Sequence, residues 1–224
     1  MRNHRLTIKG LDQVEERYQR IAARCLEVRN GTGQCLAVCA PARGDGVSSV
    51  TVGIAGAVAR NRGADVLIVE TDMERPVLAD DFELAATPGL SDFLSSGIDL
   101  EVVLQKTKTP HLWLLPAGTA TGNPGPLLRS ARFEELLVSV RHLFCAVVID
   151  TPPLLTSPHA SLIASKADGL VIVVRASRTH VHELASAIER VGSTPIRGVV
   201  LNRTKRWLPA WLSTGLGISR FELQ

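Results

Sequence analysis

Residues 44–49 read Gly-Asp-Gly-Val-Ser-Ser, between an apolar run and a small-residue stretch of helical spacing. This is the pattern of a phosphate-binding loop with its cation missing. In such loops glycines let backbone N–H groups turn toward phosphate oxygens, a lysine reaches the β/γ oxygens, and the next hydroxyl holds Mg²⁺. Gly44, Gly46, Ser48 and Ser49 keep the cradle and the hydroxyl, and Val47 stands where the lysine belongs. A hydrogen bond to a charged group is worth roughly 1.5–3 kcal/mol, so the substitution alone weakens triphosphate binding by about 10- to 150-fold. Stabilisation of a moving phosphoryl group suffers at least as much. Carboxylates accompany the loop. Val66-Leu67-Ile68-Val69 runs into Glu70-Thr71-Asp72, and Ala146-Val147-Val148-Ile149 runs into Asp150-Thr151-Pro152-Pro153.

These residues need a scaffold that brings strand ends together. Cys35 to Ala40 is a short apolar run of the kind a buried strand shows, and Ser48 to Arg60 has helical spacing, giving strand, glycine loop and helix in order. Alternation of apolar strands with helices predicts an α/β fold, a mostly parallel sheet flanked by helices on both faces. In such sheets, acids at the carboxyl ends of strands sit on the ligand-binding edge, where Asp72 and Asp150 can hold Mg²⁺. The plain alternative is that they cap the elements that follow. At 224 residues and 45% hydrophobic the chain fills one core,. The expected organisation is a helical lead-in over 1–30, with an amphipathic helix at Asp12–Val28 stopped by Asn30-Gly31-Thr32-Gly33, a nucleotide-type domain over 31–204, and a tail over 205–224.

On these motifs the chain resembles the cytoplasmic ATPase domain of bacterial tyrosine autokinases, the polysaccharide co-polymerase kinases related to MinD/ParA P-loop NTPases. Gly44 to Ser49 match the family's first motif apart from the lysine, and Glu70 to Pro76 match its second with glutamate for the first aspartate. Thr87 to Leu94, Leu115 to Gly118 with Asn123-Pro124 and Leu127-Leu128, Val148 to Pro153, Ala167 to Val174 and Gly198 to Arg203 continue the series. The resemblance implies ATP or ADP with Mg²⁺ as ligands. Ser48, Asp72 and Asp150 would serve the metal, Asp72 would also be a candidate general base, and Asn202 and Arg203 would lie near the adenine. Arg43, Gly44, Asp45, Gly46, Val47, Ser48 and Ser49 would form the phosphate loop, with Asp72 and Asp150 as its catalytic carboxylates.

The departures bear on function. Ala42 occupies the place of the MinD branch's second lysine, and Arg43 is the nearest cation in sequence. His159 replaces an aspartate after the proline-rich turn. Gln19 and Ala22 replace arginines of the N-terminal self-association motif, although Glu16 remains, and Tyr18 is the one tyrosine, where active relatives carry a C-terminal cluster. The favoured reading is a degenerate, kinase-like protein of capsule or exopolysaccharide production, a regulatory partner of a membrane chain-length regulator with weak or lost ATP hydrolysis and tyrosine kinase activity. The alternatives are an active kinase whose cation comes from Arg43 or a neighbouring subunit, implying a homo-oligomer, and a MinD/ParA-like positioning ATPase.

A net charge of +3 without a dense Lys/Arg run or basic-aromatic platform argues against nucleic acid,. No run reaches the roughly 18 apolar residues of a membrane span, and the start lacks a signal-peptide core, so a cytoplasmic location is expected. Cys35 and Cys39 lie four apart on a strand, roughly 13 Å, too far for a disulfide or a shared zinc. Cys25 and Cys145 read as small core residues, and His180 and His182 as a solvated face. After Lys205 and Arg206 the tail runs Trp207-Leu208-Pro209-Ala210-Trp211-Leu212. It suits the inner membrane face or a protein groove, and equally a segment packed back on its own domain.

Overall fold

In the computed structural model residues 11–26 and 32–204 are described. The helix stop at Asn30-Gly31 and the tail over 205–224 therefore lie outside the described residues. In chain order the elements are α1 (Leu11–Cys25), β1 (Gln34–Cys39), α2 (Val47–Arg62), β2 (Val66–Glu70), α3 (Leu78–Asp81), α4 (Leu90–Ser96), α5 (Leu100–Val103), β3 (Gln105–Lys106) and β4 (Leu112–Leu115). They continue with α6 (Gly125–Leu128), α7 (Ala131–Leu143), β5 (Ala146–Asp150), α8 (Ala160–Ser165), β6 (Gly169–Arg175), α9 (Val181–Val191) and β7 (Ile196–Asn202). The strands form one sheet in the order β3-β4-β2-β5-β1-β6-β7, parallel throughout except where β3 meets β4. This is the mostly parallel, helix-covered sheet that the pattern predicts.

Both faces of the inner strands are buried, which is why β1, β2 and β5 are apolar without alternation,. Period 2 still sorts their side chains. Leu36, Val38 and Ala40 join Ile68, Val148 and the α2 residues Val50, Ile54 and Val58 on one face. Cys35, Leu67, Val147 and Ile149 meet Phe133, Leu136 and Val140 of α7 on the other, and Ala37, Cys39 and Ile172 meet Ala160 of α8 and Ala187 of α9. Burying a Val, Leu, Ile or Phe side chain contributes about 1.5–3 kcal/mol, so these two layers dominate the stability. Cys35 and Cys39 are wholly buried in β1, and burial pushes their thiols up to about 11 and about 12. His180 and His182 stack on one another, centroids 5.4 Å apart, at the exposed start of α9.

The order of the strands positions the site. β1 lies between β5 and β6, and β2 lies beyond β5. The chain leaves β1 in one direction toward β2 and fills the other side later with β6, so the end of β1 is the switch point where open sheets bind ligands. The register places Val38 beside Asp150 and Glu70 beside Asp150. The glycine loop and both acidic motifs, distant in sequence, thereby arrive at one edge. The start of β1 is pinned as well. Asp168 accepts from the Cys35 N–H at 2.8 Å and from Arg141 Nη1 at 2.8 Å.

Candidate functional site

The loop from Ala40 to Gly46 turns the chain from β1 into α2. It needs glycine at two points, because Gly44 has φ +86° and Gly46 φ +106°, a region L side chains rarely adopt. Space at Gly46 is closed too, since a Cβ there would lie 2.1 Å from Asn202 Nδ2. α2 opens on Gly46 without a capping side chain and without an acid in its first turn. The helix N-terminus, with partial positive charge and N–H groups that lack intrahelical partners, therefore faces the loop uncompensated, which is the condition a phosphate satisfies.

In front of this terminus is a cleft of about 550 Å³ lined by Gly44, Gly46, Val47, Ser48 and Ser49 of the loop, by Asp72 and Asp150, and by Arg43, Arg75 and Arg203, among others. Val47 is half-buried and also packs against the core beneath α2. Its isopropyl group belongs to the helix foundation as well as to the cleft wall.

Asp150 is the most constrained acid. It is 2% exposed, its Oδ2 accepts from the Ser48 hydroxyl at 3.0 Å, and its Oδ1 accepts from Thr51 at 3.1 Å. Burial pushes its carboxyl up to about 7, the charges of Glu70 and Asp72 push the same way, and the two hydroxyl bonds oppose them,. Thr71 and Thr151 brace it from both sides, Thr71 Oγ1 donating to the Asp150 carbonyl at 2.6 Å and Thr151 Oγ1 to the Val38 carbonyl at 2.9 Å. Asp72 sits at the rim, where its Oδ1 accepts from the Arg75 N–H at 3.2 Å and its Oδ2 from Arg43 Nη1 at 2.8 Å.

Two residues expected at the ligand also brace the loop. Asp45 is 1% exposed, one carboxylate oxygen accepting from the Ala42 N–H at 3.2 Å and the other buried without a partner. Asn202 Nδ2 donates to the Asp45 carbonyl at 2.9 Å, which ties the end of β7 to the loop, while Arg203 reaches the cleft wall. Sequence reasoning missed Thr51, Arg75 and the role of Glu70. The Glu70 side chain accepts from the N–H groups of Val77, Leu78 and Ala117 at 2.6, 2.8 and 3.2 Å and so ties down the segment that carries Asp72. Burial raises its pKa even though these bonds pull it down. Thr51 had a legible signal, a hydroxyl one helical turn after Val47 on the face toward β5. For Glu70 no local signal exists, because its partners belong to other elements.

Among the described residues no group of three or more His, Cys, Asp or Glu side chains converges on a metal. Mg²⁺ does not need one, because it takes one or two carboxylates together with phosphate oxygens and water. Ser48 and Asp150 fit that requirement, whereas the Asp72 carboxylate is already paired with Arg43, and the uncapped helix start with its two left-handed glycines fits a phosphate chain.

No family model matches the chain. It is 31% identical over 172 residues to the tyrosine-protein kinase CpsD of Streptococcus agalactiae, an overlap covering 75% of this chain and 74% of that protein. It is 29% identical over 164 residues to the tyrosine-protein kinase YwqD of Bacillus subtilis, covering 72% and 69%. Among solved structures it superposes on the chimerical protein CapA2B2 with a TM-score of 0.79 and 27% identity, covering 85% of each chain. The septum site-determining protein MinD of Pyrococcus horikoshii, complexed with Mg-ADP, gives a TM-score of 0.64 over 82% of this chain and 77% of its own, at 18% identity, a likeness of fold.

Proposed function

Because this chain belongs to the family of bacterial tyrosine-protein kinases, we propose that it is a kinase-derived nucleotide-binding protein of capsule or exopolysaccharide synthesis whose phosphoryl transfer is weak or lost. By family resemblance its partner is a membrane chain-length regulator, and 31–204 is the unit that binds nucleotide. The observation that carries the reading is the combination at the start of α2, a complete backbone cradle with valine at the cation position.

The cradle's N–H groups would hold the β-phosphate of ADP or ATP, and any Mg²⁺ would be held by Ser48 and Asp150, with Asp72 joining only where Arg43 releases it. When bound, that ion supplies positive charge to the phosphate oxygens. Asp150 keeps Ser48 oriented by accepting a hydrogen bond from its hydroxyl, and Thr51 donates to the other carboxylate oxygen and holds it in place. The charge that a lysine would bring is missing from position 47, because Val47 offers no donor and is engaged with the core. A protein of this kind works as a switch whenever a partner binds its nucleotide-loaded and empty forms unequally.

The test is titration calorimetry of the purified chain with ADP and with a non-hydrolysable ATP analogue, alongside a phosphotransfer assay against a co-purified membrane partner. The reading expects nucleotide binding with negligible phosphotransfer, and Val47→Lys should tighten binding by about 10- to 150-fold. No binding by either protein at millimolar nucleotide would refute it. The competing reading, an active kinase, is supported by the intact Ser48-Asp150-Thr51 set. It requires robust phosphotransfer by the wild type that Asp150→Asn abolishes.

No helix of the described residues is long and apolar enough to cross a membrane. We propose the tail over 205–224 as the candidate for inner-membrane contact, and loss of binding to anionic liposomes on its deletion is the test.

A further inference from the structure

The cleft wall carries positive charge, with Arg43, Arg75 and Arg203 among its lining residues. Arg43 lies in the loop beside Gly44, and its Nη1 donates to Asp72 Oδ2 at 2.8 Å across 29 residues of sequence. The Asp72 side chain is 11% exposed, and that of Arg43 is 39% exposed on the cleft wall. Asp72 is the carboxylate that the resemblance assigns to Mg²⁺, and here it already has a cation. A guanidinium is a planar fork of several N–H donors suited to phosphate oxygens, and the Asp72 bond uses one of them. The carboxylate acts as an anchor that holds the fork at the mouth of the cradle, a preorganisation that a lone loop arginine lacks.

We propose that Arg43 is the resident cation of this site. It binds the polyphosphate of a nucleoside di- or triphosphate in place of the absent lysine, and its hold on Asp72 excludes Mg²⁺ from that carboxylate, so that nucleotide binds without the metal. This rests on the phosphate-site reading above. Two consequences follow from charge alone. Arg43 cancels Asp72, so a divalent ion gains less there than at a bare carboxylate. Removing Arg43 takes the charge from the phosphates and releases Asp72 at the same time.

The experiment is calorimetric titration with ADP, in EDTA and in Mg²⁺, of the full chain and of Arg43→Gln, Val47→Lys and the double variant, each checked for an unchanged circular dichroism spectrum. The wild type should bind ADP equally well in both buffers. Arg43→Gln should lose about 10- to 150-fold in EDTA. The double variant should recover that affinity and become Mg²⁺-dependent, because the lysine supplies the charge and Asp72 is free. Arg43→Gln binding like the wild type, or Mg²⁺ tightening the wild type by about tenfold or more, overturns the assignment while the phosphate site stands. If no variant binds, the double variant included, the phosphate-site reading itself fails and takes this one with it.

Discussion

Asp150→Asn separates a carboxylate that the fold tolerates from one that the fold needs. The Asp150 carboxyl is 2% exposed, and its pKa is raised from 3.8 to about 7, chiefly by burial. A raised carboxylate binds its proton more tightly in the folded state than in the unfolded one. Stability from this group is therefore fully present below pH 4 and is lost as pH rises through 7. The whole span is roughly three units at 1.36 kcal/mol each, about 4 kcal/mol, of which roughly 3 kcal/mol disappears between pH 5 and pH 8. Asparagine has the same shape, keeps an oxygen for one of the two hydroxyl donors, and does not titrate. In metal-free buffer the stability of Asp150→Asn relative to wild type should thus rise by roughly 3 kcal/mol from pH 5 to pH 8. For a domain of this size that is a relative gain in Tm of about 6–12 °C. Denaturant unfolding of both proteins at the two pH values measures it, provided the transitions are two-state. A difference that stays flat within about 0.5 kcal/mol would refute the reasoning, because the carboxyl would then titrate in the ordinary carboxylate range.

Glu70→Ala orphans the N–H groups of Val77, Leu78 and Ala117. Leu78 and Ala117 are buried, so at about 1–3 kcal/mol per buried orphan it should cost roughly 2 kcal/mol or more by denaturant melt. Glu70→Gln keeps the acceptor for Val77 and Leu78 and should cost less. Gly46→Ala places a Cβ 2.1 Å from Asn202 Nδ2 at φ +106°. It should destabilise by roughly 1–3 kcal/mol, and Asn202→Ala in the same chain should recover the steric part of that loss but not the backbone part.

Fold class and the chemistry on offer are written in local patterns of the chain. Apolar runs without alternation are strands buried on both faces; β2 and β5 begin at Val66 and Ala146 as those runs do, and β1 begins at Gln34, one residue before the run that starts at Cys35. The vacancy at the loop was equally legible, because a missing lysine is a property of one position, and so was the placement of Ser48 at the start of the helix and of Asp72 and Asp150 at strand ends. Both kinds of signal are local, carried by side-chain period and by backbone conformations that only glycine reaches.

The hydrogen-bond partners of those groups depend on contacts between elements far apart in the chain. Arg43 finds Asp72 across 29 residues and Asn202 finds the Asp45 carbonyl across 157. Glu70 turns inward to hold three N–H groups instead of facing the cleft, and Asp150 acquires its raised pKa from the burial around it. Each of these depends on which strands are neighbours and in what register. That pairing is set by the packing of the whole sheet between its helices, and no stretch of the chain encodes it alone.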